Sequence, residues 1–332
     1  MDTTTLANLP LEASRIALGT WAIGGWMWGG TDDETSIRTV HAALDQGIHL
    51  IDTAPVYGFG KSEELVGEAI RRRGGREQIL IATKVGLEWT RDEAVVRNAS
   101  AERIRTEVED SLRRLQTDYI DLYQIHWPDP MTPVEETAEA MARLLQEGKI
   151  RAVGVSNFSP AQMDRFRQVA PLHTCQPPYN LFERGIEADV LPYCREHGIQ
   201  VLAYGALCRG LLSGRMGPDT TFQGDDLRQS DPKFQAPRFG QYLAAVRALD
   251  RFARERFDSD VLHLAVRWLL DYGADIALWG ARRPEQVASV NRVMEVSLTP
   301  EDHAGIDRIL DAHITDPVGP EFMAPPARTG SH

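Results

Sequence analysis

Short, nearly continuous apolar runs alternate along the chain with longer stretches whose apolar residues recur at helical spacing. The runs are RIALGTW (15–21), IHLIDT (48–53), QILIATK (78–84), YIDLYQIH (119–126), IRAVGVSN (150–157), LHTCQ (172–176), IQVLAYG (199–205) and DIALWG (275–280). Most are continuous Val/Ile/Leu/Ala rather than alternating, which is the pattern of strands buried on both faces of a parallel sheet. A helix candidate follows each run. Eight such units predict an α/β fold of the (β/α)8, or TIM-barrel, type in a single domain over 1–332. A doubly wound sheet is the rival, but Gly19, Gly24 and Gly25 in GTWAIGGW have the wrong spacing for its phosphate fingerprint.

The boundaries carry their own signals. Thr31 with Glu34, Thr132-Pro133 with Glu135 and Ser159-Pro160 with Gln162 predict capped helix starts. Gly47, Gly148 and Gly198 fall where helices should stop. Residues 4–15 suit a hairpin closing the barrel floor. The stretch 210–240, rich in Gly, Asp, Gln and Pro, interrupts the seventh unit before helical patterns at 241–257 and 260–272. A long insertion at a strand's carboxyl end is expected to be functional or a mobile lid. The Pro-rich C-terminal tail contains DPVGPEFMAPP, whose prolines lower the cost of holding one path. Phe322 and Met323 are expected to pack over the mouth of the barrel.

Composition narrows the function. The net charge is −12, and the basic run Arg71–Arg73 sits at a helix end that suits cations, so nucleic-acid binding is not expected. No apolar stretch is long enough to span a membrane, and the N-terminus lacks a secretory pattern. The three cysteines form no CxxC pair, which predicts a reducing compartment, the cytoplasm, and no metal site. A homo-oligomer is left open.

Chemistry in such a barrel belongs at the carboxyl ends of its strands. The second run ends in Asp52 with Tyr57 just beyond, the third in Lys84 and the fourth in His126. Asp52 can hold Lys84 charged and oriented. The ammonium should lower the phenol pKa of Tyr57 from its free value of about 10. His126 can align a carbonyl. The set suits protonation of a carbonyl oxygen as hydride reaches its carbon, or the reverse.

The segments IDTAPVYGFGKSEELVGEAI, DYIDLYQIHWPDP, GVSNF, YGALCRGLLSG and WGARRPEQV stand in the order found in aldo-keto reductases, which the chain resembles over nearly its whole length. With the DPVGPEFMAPP tail it resembles the bacterial branch of the general stress protein 69 type and its glycerol- or polyol-oxidising relatives. The resemblance implies a catalytic tetrad of Asp52, Tyr57, Lys84 and His126. It also implies NADPH or NADP across the mouth, beside Thr20, Trp21 and Asp52. Ser156, Asn157 and Gln176 would bond its carboxamide, and Tyr204 would stack on the nicotinamide. Backbone of Gly205, Ala206, Leu207, Cys208, Arg209, Gly210 and Leu211 would follow the pyrophosphate. Gly280, Ala281, Arg282 and Arg283 would precede a helix opened by Pro284, whose free N–H groups with Arg282 would take the 2′-phosphate; Gln286 matches a further contact. Trp21, Trp28, Trp89 and Trp127 would wall the substrate pocket. The chain departs from the family at Ser289 and Val290, where many members carry Glu and Asn, and at Cys208-Arg209. The implied activity is reduction of small aldehydes or ketones, or oxidation of alcohols or polyols such as glycerol, with Tyr57 as proton donor. The alternative is a cofactor-binding redox sensor or regulatory subunit, as in channel-associated β-subunits of the same fold.

Overall fold

Each apolar run supplies one parallel strand, and the eight strands close into a barrel in the computed structural model, which describes residues 1–7 and 9–328. In chain order the barrel strands are Ile16–Gly19, Leu50–Asp52, Leu80–Val85, Ile120–Ile125, Ile150–Ser156, Thr174–Gln176, Gln200–Ala203 and Ile276–Gly280. Each pairs with its sequence neighbours, and the eighth closes on the first with Gly280 opposite Gly19.

Alternation along the strands decides what the barrel interior contains. Leu50 and Asp52 share one face, as do Leu80, Ala82 and Lys84, and Leu122 and Gln124. Ala17, Leu50, Leu80, Ala82, Leu122, Ala152, Leu202 and Ile276 form one buried apolar cluster filling the lower interior. At the next inward position four strands carry polar residues, Asp52, Lys84, Gln124 and Gln176, so a polar layer lies on an apolar plug. Below, the antiparallel pair Thr3–Thr5 and Glu12–Ser14 brings Leu6, Leu9 and Ala13 onto that plug, as expected of a floor hairpin. The opposite strand faces, among them Ile16, Ile51, Ile81, Tyr123 and Val153, pack against the surrounding helices.

Helix ends show where local signals compete. Ser159 and Gln162 form the expected capping box. At the first long helix, Asp33–Asp45, Asp32 takes the capping position, its Oδ1 accepting from Thr35 N at 2.8 Å, while Thr31 bonds Ser36 instead. The carboxylate stands one residue nearer the first turn and outcompetes the hydroxyl. Thr132 is diverted to Asp129, and the helix Val134–Gln146 begins without a side-chain cap. The helices Arg238–Phe257 and Val261–Tyr272 follow the insertion as read from the sequence. After the eighth strand, Pro284 opens only a 3-10 turn, Pro284–Gln286, not an α-helix.

Two features at the carboxyl end of the barrel extend the mouth. A hairpin, Leu87–Trp89 with Val95–Arg97, rises after the third strand. The tail crosses to it, with Arg97 N donating to Pro326 O at 3.0 Å and Ala327 bridged to Arg97. Among the described residues no helix is long and apolar enough to cross a membrane.

Candidate active site

The second and third strands end side by side, and their inward side chains meet. Lys84 Nζ lies 2.6 Å from Asp52 Oδ2, 2.9 Å from Thr53 O and 3.3 Å from Tyr57 OH. Its three donors are thereby directed to a carboxylate, a carbonyl and a phenol. The other Asp52 oxygen accepts from Gln176 Nε2 at 2.8 Å and Gln124 Nε2 at 3.2 Å. Asp52 is thus fixed from three strands, and a carboxylate can end a buried strand because every oxygen is partnered.

Tyr57 is delivered by a turn, and glycine makes that turn possible. A Cβ on Gly24 would stand 2.4 Å from Tyr57 O, and one on Gly58 2.2 Å from Gly24 O. Gly58 also has φ +69°, a conformation that side chains disfavour. Trp21 stacks on the Tyr57 ring, with centroids 5.8 Å apart, and the His126 ring meets it edge-on at 5.7 Å.

Electrostatics differ from the sequence expectation at one point. Burial, with the Asp52 charge adding to it, raises the Tyr57 phenol pKa well above its ordinary value rather than lowering it. Loss of solvation outweighs the ammonium, whose charge is already matched by Asp52. Tyr57 therefore keeps its proton. Burial, then the Lys84 charge, pushes His126 well below the ordinary imidazole range, so its ring is neutral. Burial also lowers the Lys84 pKa, opposed by Asp52.

Two cavities meet at Tyr57. One, of about 360 Å³, runs from Asp52 and Tyr204 past Gly205, Arg209 and Gly210 to Gly280, Ala281, Arg282, Arg283 and Gln286. Thr20, Trp21, Ala206 and Leu207 also line it. The other, of about 280 Å³, contains His126, Trp127, Ser156, Asn157 and Gln176 at its base. Tyr57, Trp21 and Tyr204 border both.

Several residues sit otherwise than the sequence suggested. Cys208 and Leu211 point into the core and line neither cavity. Trp28 borders the larger cavity, not the smaller, and Trp89 borders neither, packing instead on Phe59. Trp26, which the sequence reading passed over, lines the smaller cavity. The N–H groups of Arg282 and Arg283 are not free, because Gln286 Oε1 accepts from both, at 2.9 and 3.1 Å. Ser289 bonds His263 and Val290 is buried, so neither reaches the cleft. Ser156, Asn157 and Tyr204 hold one another: Asn157 Nδ2 donates to Ser156 Oγ at 3.0 Å, and Tyr204 OH donates to Asn157 Oδ1 at 2.9 Å. The insertion contributes two cations absent from the sequence reading, Arg215 and Arg228. The tail contributes Phe322, Met323, Ala324, Pro325 and Pro326 to the smaller cavity.

The pattern of the Aldo/keto reductase family matches residues 15–311. The chain belongs to the aldo-keto reductase family. It is 61% identical over 329 residues to aldo-keto reductase YhdN of Bacillus subtilis (strain 168), covering 99% of each chain. It is 37% identical over 314 residues to the NADH-specific methylglyoxal reductase of Escherichia coli (strain K12), covering 90% of this chain and 94% of that one. The solved structure of glycerol dehydrogenase AKR11B4 from Gluconobacter oxydans superposes with a TM-score of 0.89 at 57% identity, covering 97% of this chain and 99% of that one. As an aldo-keto reductase, the protein is an oxidoreductase of the carbonyl–alcohol couple that uses a nicotinamide cofactor.

Proposed function

We propose that residues 1–332 form one catalytic domain that reduces aldehydes or ketones with NADPH, or oxidises the corresponding alcohols, with Tyr57 as the proton donor. The observation that carries this reading is the place of Tyr57: its hydroxyl is 3.3 Å from Lys84 Nζ, and its side chain borders both cavities.

The larger cavity fits a dinucleotide by its chemistry. Tyr204 offers a flat aromatic face beside the Ser156–Asn157 pair. At the far end Arg282, Arg283 and Arg215 have no carboxylate partner among the described residues. Burial, then the charges of Arg283 and Arg228, disfavours the Arg282 cation, a crowding that a bound phosphate relieves. Arg282, with Arg215 and Arg283, is read as the selector for the 2′-phosphate. The methylglyoxal reductase described as NADH-specific shows that this preference needs its own measurement.

When bound, the nicotinamide supplies hydride. The chain's own residues do the rest. His126, neutral, donates a hydrogen bond that orients the substrate oxygen toward Tyr57. Tyr57, kept protonated by burial, gives its proton to that oxygen as charge develops. Lys84 then stabilises the phenolate, and Asp52 keeps the ammonium in place. Aromatic side chains Trp21, Trp26 and Trp127 exclude water. The buried free cysteines, Cys175, Cys194 and Cys208, support a reducing compartment such as the cytoplasm.

Loss of reduced-cofactor absorbance with aldehydes and ketones, using NADPH and NADH, and its gain with polyols, using the two oxidised cofactors, test the reading. Turnover with NADPH is expected. Tight cofactor binding without turnover on any substrate would favour a sensor or regulatory subunit instead.

A further inference from the structure

Away from Asp52 and Lys84 the protein buries a second group of charges. Glu183, Arg209, Asp231 and Lys233 are all buried, the last two completely. Arg209 Nε lies 2.5 Å from Asp231 Oδ2, and Arg209 Nη2 donates to Glu183 Oε1. Lys233 Nζ lies 2.7 Å from Glu183 Oε1 and 3.8 Å from Asp231 Oδ1. Two cations thus match two carboxylates. None of the four stands on a barrel strand or an α-helix. Glu183 follows the sixth strand, Arg209 the seventh, and Asp231 and Lys233 lie in the insertion. Burying charges is a poor source of stability, but it fixes the geometry of segments that have no ladder of backbone hydrogen bonds.

Both cations also reach the tail. Lys233 Nζ donates to Gly319 O at 3.0 Å. Arg209 Nη1 is 3.7 Å from Met323 Sδ, and its guanidinium carbon lies 5.4 Å from the Phe322 ring centre. From there the tail passes over the smaller cavity. Its far end is held by Arg97 N on Pro326 O and by Arg328, 2.8 Å from Thr132 Oγ1 and 3.3 Å from Asp129 Oδ2. Between these ends the amides of Met323 and Ala324 bond inside the tail, to Pro320 O and Glu321 O. The stretch facing the cavity therefore takes its position from its two anchors.

We propose that Lys233 and Arg209 are positioning residues for substrate selection: the buried quartet sets the distance of Phe322 and Met323 from Tyr57 and His126, and so the size of carbonyl compound admitted. The proposal rests on the reading of the smaller cavity as the substrate site. Lys233 lines neither cavity, so its substitution removes no side chain from either cavity wall.

The test compares kcat/KM for a short aliphatic aldehyde and a bicyclic aromatic aldehyde in four proteins: the full chain, Lys233→Met, the chain ended at Ile314, and both changes together. Lys233→Met is expected to change the large-to-small ratio about tenfold, the scale of pocket-size discrimination, with kcat for the short aldehyde kept within about threefold. Ending the chain should shift the ratio in the same direction, and adding Lys233→Met to that protein should shift it no further. An unchanged ratio in the full chain, or an equal shift with and without the tail, would overturn the proposal. Backbone amide exchange gives an activity-free readout: in Lys233→Met the amides of 319–326 should exchange about tenfold faster with the barrel strands unaffected. Unchanged exchange in the tail would also overturn it. Where the single variant fails to fold, Lys233→Met with Asp231→Asn keeps one cation facing one carboxylate and is measured in its place. Should the wild-type protein reduce no carbonyl compound, the functional reading fails, and amide exchange alone decides this one.

Discussion

Lys84 and Lys233 are both fully buried, and each faces a carboxylate and a backbone carbonyl. They differ in what carries them and in what they meet. Lys84 is fixed by a six-residue barrel strand and touches the phenol of Tyr57, which borders both cavities. Lys233 sits in a three-residue 3-10 turn within the long insertion and touches only charges and the tail. In the proposed mechanism a regular strand places an ammonium where a proton is to move. A loop, which cannot fix itself, uses an ammonium to hold other loops. Burial is therefore no guide to chemistry; the neighbour at the open end of the charge cluster is.

The largest effect that would break this contrast is at Tyr57. Tyr57→Phe removes the proton and almost no volume, so turnover should fall by about 10²–10⁴, as for general acids elsewhere, while cofactor affinity by fluorescence titration stays close to wild type. Retained turnover would remove the chemical meaning of the Lys84 side. Next comes Lys84→Met, which leaves Asp52 buried without its cation; a loss of about 3–5 kcal/mol in denaturant unfolding is expected, together with lost turnover.

Most of the Lys84 side was legible in the sequence. Continuous apolar runs mark buried strands, alternation assigns their inward positions, and the strand ends then name Asp52, Lys84 and His126. The Lys233 side was not legible, because Glu183, Asp231 and Lys233 lie in segments with no period, where nothing local shows which charges meet. Trp89 was misassigned, and Trp26 passed over, for the same reason. Both lie near the mouth, and only packing decides which of them faces the cavity. The free N–H groups expected of a helix opened by Pro284 failed differently: only a 3-10 turn forms there, and Gln286, read as a cofactor contact, folds back on the N–H groups of Arg282 and Arg283. The direction of the Tyr57 shift was missed because burial outweighs a neighbouring charge only once the fold has closed around it.

Smaller effects sharpen the picture. Arg282→Ala should weaken NADPH by about 1–3 kcal/mol and spare NADH, measured as separate dissociation constants. Equal loss for both would assign Arg282 to the pyrophosphate. His126 offers a pH test. Its folded pKa lies below the usual 6.5, so as pH falls under about 6.5 the unfolded chain takes up a proton that the native ring refuses. Its contribution is present above that pH and is lost on acidification, by up to about 1.4 kcal/mol per pH unit. His126→Gln should flatten the acid limb of the stability curve by that amount. His173, shifted in the same direction by burial, remains in both proteins and cancels in the comparison. Smallest of all, Trp89→Phe should leave KM for aldehydes within about twofold, whereas Trp26→Ala should raise it several-fold, since Trp26 borders the smaller cavity and Trp89 does not.

The division between the two lysines is tested most directly by kcat/KM for a short and a bulky aldehyde in Lys84→Met and Lys233→Met, measured side by side. Lys84→Met should slow both aldehydes by a similar large factor and leave their ratio unchanged. Lys233→Met should change the ratio and largely spare the short aldehyde. The same pattern in both variants, whether a uniform loss or a shifted ratio, would contradict the division.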